Sequence, residues 1–436
     1  MSEFERYRVL WPDHLGLARG KYLPARTAGR GTSFCVATFV LGYDRMINEV
    51  EVGMDWTGFP DVDAEFDLAK ARHGWEPGTG VVVADLVKDG AFFPTAPRTA
   101  LRRAVADWEA LGYRPKIGME LEGYIMEPDG EGGWRPYSTP SAFVYGTGPL
   151  TDPDGLIDEL MVTADACGLP IESLNTEFDF PQFEMTLEYG DALEAVDNVF
   201  LFKELARETA YRRGLRMTFL GKPIAGKAGS GLHVNASLES SDGSNAFVDT
   251  SAPDGLSVLA RQCIAGVVAH HRGLTPLLAP TVNAYKRLVP GELVGLWANW
   301  GYDHRCSAVR VPPHRGQATR LEQRTGDGSA NPYVAAAAVL QAARLGVVGN
   351  LTPPPAETGD GIEKIGTEVR SAPDLAGALD DLEADTELAE ALGRELVANF
   401  LGIKRIEWRT YCEAVTEPQD VAVITPWELE TYLPFV

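Results

Sequence analysis

Cysteine is scarce in this 436-residue chain. Its five cysteines, Cys35, Cys167, Cys263, Cys306 and Cys412, are far apart, odd in number and without a Cys-x-x-Cys pair, which argues against both a disulfide framework and a zinc ribbon. Long apolar runs are missing too: none approaches the roughly 20 residues that span a bilayer. The first residues, Met1-Ser2-Glu3-Phe4-Glu5-Arg6, carry acids where a secretory leader carries basic side chains, so a cytoplasmic protein is expected. Basic residues are in deficit. Thirty-nine Lys and Arg against 62 Asp and Glu leave a net charge of -23, which repels nucleic acid and anionic membranes over most of the surface. Neither is expected as a partner, and an anionic substrate must be met by local arginines. There is no Gly-x-x-x-x-Gly-Lys-Ser/Thr and no Gly-x-Gly-x-x-Gly at a strand-to-helix junction, so a nucleotide would have to be held by metals and arginines.

Residues 1–95 read as short β-rich pieces such as Tyr7–Trp11 and Ser33–Val40, broken by Gly and Pro, which predicts a small sheet domain. After Pro97, Leu101, Val105, Trp108 and Leu111 recur at spacings of three and four before Gly112, which predicts an amphipathic helix and a domain boundary, with a second domain over 96–436. Strands then alternate with long helices. Ile117–Met126 reads as a strand, and a helix is expected over Asp191–Arg213, opened by an Asp191/Glu194 capping box and closed by Gly214. Strand-like segments return at 215–220, 231–238 and 307–311. The Pro- and Gly-rich stretch 349–362 reads as an exposed loop, and beyond Pro373 leucines 375, 379, 382, 388, 392 and 396 share a helical face.

Chemistry concentrates in four stretches. In Gly118-Met119-Glu120-Leu121-Glu122-Gly123-Tyr124, two carboxylates at i and i+2 on a strand share a face and repel unless a cation joins them; taken alone, such a pair is more often a solvated outer face. Asn175-Thr176-Glu177-Phe178-Asp179-Phe180-Pro181-Gln182-Phe183-Glu184 sets more acids among aromatic side chains, where a bare carboxylate is costly to desolvate. Gly229-Ser230-Gly231-Leu232-His233-Val234-Asn235 puts a histidine on an apolar strand, a setting that also suits a hydrogen-bonded core histidine. Arg320-Leu321-Glu322-Gln323-Arg324 places Arg, Glu and Arg on one face, as a site or as an ion-pair ladder. Oxygen-rich ligation with one imidazole suits magnesium or manganese better than zinc. Arg287, Arg305, Arg310, Arg320 and Arg324 crowd one region and point to an anion pocket.

Together with Asp13-His14-Leu15-Gly16-Leu17-Ala18-Arg19-Gly20-Lys21 near the start, these motifs resemble the glutamine synthetase superfamily in order and spacing over nearly the whole chain. The resemblance implies an α+β protein: an N-terminal β-grasp domain, a catalytic domain with a curved antiparallel sheet, and homo-oligomers, expected as dodecamers of two stacked rings in which a neighbour's β-grasp domain completes each site. It implies ATP and two or three Mg2+ or Mn2+ ions per site. Glu122, Glu177 and Glu184 would bind one metal, and Glu120, His233 and Glu322 another. Arg287, Arg324 and Gly229 would hold L-glutamate; Arg305, Arg310 and Arg320 would face the phosphates; Asn235 and Ser237 would lie near the nucleotide. Glu177, Arg305 and Arg310 are the expected catalytic residues, with Glu177 taking a proton from the attacking amine.

The chain departs from the pattern where ammonium would bind. No Asp-Gly-Ser-Ser motif occurs in 50–59, where Glu51 or Asp55 are loose substitutes, and a gapless count from Asn283 to Pro312 puts Leu293 where the family's flap carries a glutamate. Glu292 is adjacent but should point elsewhere. Ala228 and Gln317 replace a family Asn and a basic residue. Leu293, Trp56 and Trp297 are expected to line a roomier or apolar acceptor pocket, so the chain resembles the γ-glutamyl-amine ligases, with a monoamine favoured over a polyamine. An ammonia-using glutamine synthetase and a non-catalytic homologue are the rivals. No tyrosine lies between Tyr333 and Tyr411, so adenylylation at 349–362 is not expected.

Overall fold

The structure is a computed structural model that describes residues 3–50, 56–415 and 423–436. Two four-stranded sheets form within residues 6–92. In the first, Arg6–Pro12 pairs antiparallel with Ala18–Pro24 and parallel with Thr79–Val83. The motif at Asp13 closes that hairpin: the Asp13 carboxylate accepts from the amides of Leu15 and Leu17, both at 2.9 Å, and pairs with Arg19 at 2.7 Å. Its carbonyl accepts from the Asn331 side chain at 2.8 Å, which ties the turn to the helix Pro332–Val348.

The expected strand Ser33–Val40 is corrected. Thr32–Cys35 is a strand, but Val36–Val40 winds into a 3-10 helix, because Val36, Phe39 and Val40 recur every three to four residues and all three are buried. Phe39 stacks on Trp11.

A ten-stranded sheet, mostly antiparallel among the described pairings, forms the frame of the remainder. Its central strand, Arg114–Pro128, alternates buried and half-buried side chains over Met119–Gly123 and lies between Gln182–Leu187 and Leu232–Glu239. Leu321–Gln323, Ser307–Val311 and Trp297–Tyr302 continue the order, the last pair being parallel. Helices Pro97–Ala110, Val258–Ala269 and Pro332–Val348 pack together beside the sheet. The last two touch backbone to backbone: a Cβ on Gly266 would stand 2.1 Å from the Ala342 carbonyl oxygen, and one on Gly346 would stand 2.1 Å from that of Gln262.

The helix Ala192–Arg212 forms without the expected capping box. Asp191 instead pairs with Lys116 at 2.8 Å across a short bridge to the central strand, and Glu194 turns to Arg72. A capping box does form at Thr425 and Glu428, at the start of Pro426–Tyr432. Leu388, Leu392 and Leu396 are all buried, but Gly393, at φ 112, breaks their helix into Thr386–Leu392 and Arg394–Ala414. The stretch 349–362 is held down rather than free, since the Trp300 indole donates to the Pro354 carbonyl at 2.7 Å. Among the described residues no helix is long and apolar enough to cross a membrane.

Candidate active site

Strand register assembles the site. Residues directly opposite in an antiparallel pair share a face, as do i and i+2 along one strand. Glu184 is opposite Glu122, His233 opposite Glu120, and Glu322 opposite both Asn235 and Arg310. One face of four neighbouring strands therefore carries four carboxylates and one imidazole. Five residues spread over about 200 positions of sequence converge with no loop involved.

Two groups of ligand atoms result, each within 4.8 Å: Glu120, His233 and Glu322, and Glu122, Glu184 and His233. The imidazole stands between them. Its Nδ1 is 3.1 Å from Glu120 and 3.7 Å from Glu322, while Nε2 is 3.8 Å from Glu122, buried and without a hydrogen-bond partner. A buried ring nitrogen aimed at a carboxylate, with no donor or acceptor of its own, fits a bound cation. So does the state of the acids. Burial, and then the charges of Glu120, Glu177 and Glu122, push the Glu184 carboxyl up to about 8. Burial acts the same way on Glu120, but hydrogen bonds from His233 and Asn235 outweigh it and hold that carboxyl down at about 2. The donor set, carboxylate oxygens with one imidazole, is that of Mg2+ or Mn2+.

Glu177 is beside this cluster and outside the two tight groups. Its carboxylate accepts from the Phe178 amide at 2.9 Å, and burial followed by the Glu122 charge raises its pKa. Of the aromatic side chains expected around these acids Phe183 is buried, while Phe178 and Phe180, 72% and 43% exposed, face outward in the turn between Ile171–Thr176 and Gln182–Leu187. The side chain that does support the cluster here was not singled out from the sequence. Gln182, buried, donates to Glu122 at 3.4 Å and to the Gly229 carbonyl at 3.0 Å; its spacing of two from Glu184 on one strand is the signal that marks it.

Arginines surround the carboxylates. Glu322, fully buried, accepts from Arg310 at 2.7 Å and from Arg324, so the ion-pair ladder and the candidate ligand are the same residue. Arg310 also meets Asp303 at 2.6 Å. Arg320 donates to the Asn235 side chain at 2.9 Å, and Asn235 in turn donates to Glu120 at 2.9 Å. The buried Arg287 donates to the Thr325 carbonyl at 2.9 Å and leaves Nε without a partner. Gly229 is packed against Arg287, since a Cβ there would be 2.5 Å from Cγ of Arg287. A cleft of about 420 Å3 opens over the cluster, lined by Glu120, Glu177, Glu184, Ser237, Arg305 and Arg320 among others, with Tyr145 and Tyr189 also on its wall. A second cleft, about 490 Å3, is lined by Gly148, Ile157, Met161 and Leu174 and by none of the candidate residues.

The acceptor-end residues do not gather in that cleft. Leu293 is half exposed in the stretch 289–295; Trp297 lies under the Arg370 guanidinium; Trp56 stacks on Phe93 in the N-terminal core, because its ring is drawn into that apolar interior. Glu51 and Asp55 lie outside the described residues.

A model of the family described as glutamine synthetase, catalytic domain, matches residues 94–430. The chain belongs to the glutamine synthetase family. The glutamine synthetase of Clostridium saccharobutylicum is 36% identical over 370 residues, 82% of this chain and 81% of the relative. That of Halobacterium salinarum is 31% identical over 437 residues, 98% of this chain and 93% of the relative. A solved structure of ligand-free GmaS, a γ-glutamylmethylamide synthetase, superposes with a TM-score of 0.82 at 31% identity, covering 99% of this chain and 97% of that one. Glutamine synthetases are ATP-dependent ligases that use divalent metals, and the carboxylate–imidazole face described above suits that chemistry.

Proposed function

We propose that this protein activates the γ-carboxylate of L-glutamate with ATP as γ-glutamyl phosphate and couples it to an organic amine, giving a γ-glutamylamide, ADP and phosphate. The observation that carries the amine reading is Leu293: an apolar side chain, 50% exposed, stands at the position where the resemblance puts a proton-accepting glutamate, while the carboxylate–imidazole ligand groups are retained. The likeness to GmaS supports it.

In this reading Glu120, His233 and Glu322 hold one divalent cation and Glu122 and Glu184, joined by Glu177, hold another. When bound, the metals screen carboxylate from triphosphate and offset charge on the transferring group. Arg287, with its free Nε, and Arg324 clamp glutamate against Gly229. Arg305, Arg310 and Arg320 face the phosphates, and Asn235 and Ser237 the nucleotide. Glu177 accepts a proton from the incoming ammonium; the neutral nitrogen then bonds to the acyl carbon as phosphate leaves with the electron pair of the broken C–O bond and takes up the second proton that the nitrogen sheds. A raised carboxyl pKa suits a base that must later return its proton. The division into 1–95 and 96–436, the dodecameric ring and a cytoplasmic location belong to the same proposal.

The names of the curated relatives favour a second reading, ammonia as the acceptor. Phosphate release from ATP with glutamate and Mg2+, measured against ammonia, methylamine, ethanolamine, isopropylamine, putrescine, spermine and aniline, separates the two. A response to an organic amine well above ammonia supports the amine ligase; a dominant ammonia response overturns it.

A further inference from the structure

The flap that carries Leu293 also carries a carboxylate, and that carboxylate is not free. Glu292 meets the Lys222 ammonium at 3.5 Å, with Glu292 39% exposed and Lys222 only 10%. The lysine is fixed from behind. Its amide donates to the Asn283 side chain at 2.7 Å and its carbonyl accepts from the same side chain at 2.9 Å. Asn283 is bonded in turn to Glu428, fully buried on the C-terminal helix Pro426–Tyr432, at 2.9 Å. The neighbouring Gly221 carbonyl accepts from Ser230 at 2.8 Å, within the Gly-Ser-Gly turn that leads to His233. A nearly buried cation on an anchored backbone is thus held against the stretch 289–295, next to the Gly-Ser-Gly turn.

Stability does not account for such a pair. A part-exposed ion pair contributes little to stability, while keeping a lysine side chain nine-tenths out of water carries a desolvation cost. Position gives it a use. The Glu292 charge acts on both the Arg287 guanidinium and the Tyr124 hydroxyl, which also feels Glu122 and Glu177, so it bears on the space where glutamate and acceptor would meet.

We propose that Lys222 and Glu292 form a charge-cancelling latch that makes the acceptor end select amines with one amino group and an uncharged tail. The inference rests on the amine-ligase reading and extends it to the acceptor's chemical class. A diamine brings a second ammonium that must find a carboxylate or stay hydrated; the nearby flap carboxylate is already paired with a nearly buried cation. A short alkylamine brings a tail that meets Leu293.

The test is the ratio of kcat/KM for putrescine to that for methylamine in the wild type, Lys222→Met, Glu292→Gln and the double variant. Lys222→Met frees the carboxylate and should raise the ratio about 10-fold or more; Glu292→Gln leaves the cation uncompensated and should lower it by a similar factor. The double variant, neutral like the native pair, should return towards the wild-type value. Because Lys222 is nearly buried, its variant risks misfolding, and Glu292→Gln on the flap then decides alone. A ratio that moves less than about twofold in Glu292→Gln overturns the latch while leaving the amine ligase standing. A wild type that answers only to ammonia removes both.

Discussion

The two ends of the site are built differently. At the metal end, every candidate ligand but Glu177 stands on a strand, its direction set by the pleat and its neighbour by register, so Glu184, Glu122, Glu120, His233 and Glu322 face one another before any loop is placed. At the acceptor end of the proposed site, Leu293 and Glu292 are carried by the irregular stretch 289–295, and the ion pair that holds the carboxylate among the described residues comes from elsewhere, from Lys222. A strand face tolerates little change in residue type once like charges have been drawn together on it, whereas a loop accepts substitution at small cost. On the proposed reading, specificity is therefore free to vary at the flap while phosphoryl chemistry stays with the sheet.

Removing Glu322 should break the comparison at its rigid end and have the largest effect. The side chain is fully buried between Arg310 and Arg324 and also belongs to a metal group. Glu322→Ala leaves two guanidiniums facing each other, a loss of about 3–5 kcal/mol in stability, and should lower amine-dependent phosphate release by at least about 1,000-fold. Urea unfolding and single-turnover phosphate release check the two parts; a variant with near-native turnover would show that the sheet end is also tolerant.

At the flexible end, Leu293→Glu should leave stability within about 0.5 kcal/mol, because the native side chain is half in water. It should raise ammonia use relative to methylamine by roughly 10- to 100-fold, as expected for adding a proton acceptor near the nitrogen. Competition between the two amines, read from the γ-glutamyl products, measures it. An unchanged ratio would mean that the flap does not set acceptor choice.

Gly229 is packed between Arg287 and the segment that carries Lys222. A Cβ there would meet Cγ of Arg287 at 2.5 Å and the Gly221 carbonyl oxygen at 2.7 Å, neither of which yields without moving the other. Gly229→Ala should raise KM for glutamate by about 10-fold with a smaller effect on kcat, since it displaces a binding group rather than a reacting one. Initial rates at varied glutamate test this.

The same contrast decides what could be read from the sequence. Glu120 and Glu122 are legible because a strand period of two puts them on one face, and Arg320, Glu322 and Arg324 for the same reason; which strands are neighbours was not legible, since register between Glu120 and His233 is a matter of tertiary pairing across more than 100 residues. Gln182 and Asn235 show the limit from the other side, being ordinary amides until the sheet brings them to Glu122 and Glu120. The missing strand at Val36–Val40 and the unmade cap at Asp191 failed through competition. Burial of Phe39 outweighs the β-branched preference there, and Lys116 draws Asp191 away from the helix end. Nothing in the order of residues announces the Lys222–Glu292 pair, because it joins two irregular segments.

The smallest expected effect concerns the repulsion stored on the sheet face when no metal is present. Glu184 titrates at about 8 in the folded chain against 4.5 for the ordinary group. Between those values the native state holds a proton that the unfolded state has released, so stability must fall as pH rises through the window. Glu120 behaves in the opposite sense: its depressed value, about 2, gives stability that is present above 4.5 and lost only on acidification below it, so it does not mask the trend. The metal-stripped protein should accordingly melt lower at pH 8 than at pH 6, by on the order of 1–2 °C. Adding Mg2+ should raise the melting temperature more at pH 8, where Glu184 is already about half ionised, than at pH 6, where binding must first displace its proton. Glu184→Gln, which removes the titrating group, should flatten the pH dependence of the metal-free form. Melting curves at the two pH values, with chelator and with Mg2+, measure all three. A native metal-free protein that gains stability from pH 6 to pH 8 would mean that the carboxylates are relieved by something other than a proton or a cation, and the acid-crowded face would then resemble the flap in having its charge neutralised from outside.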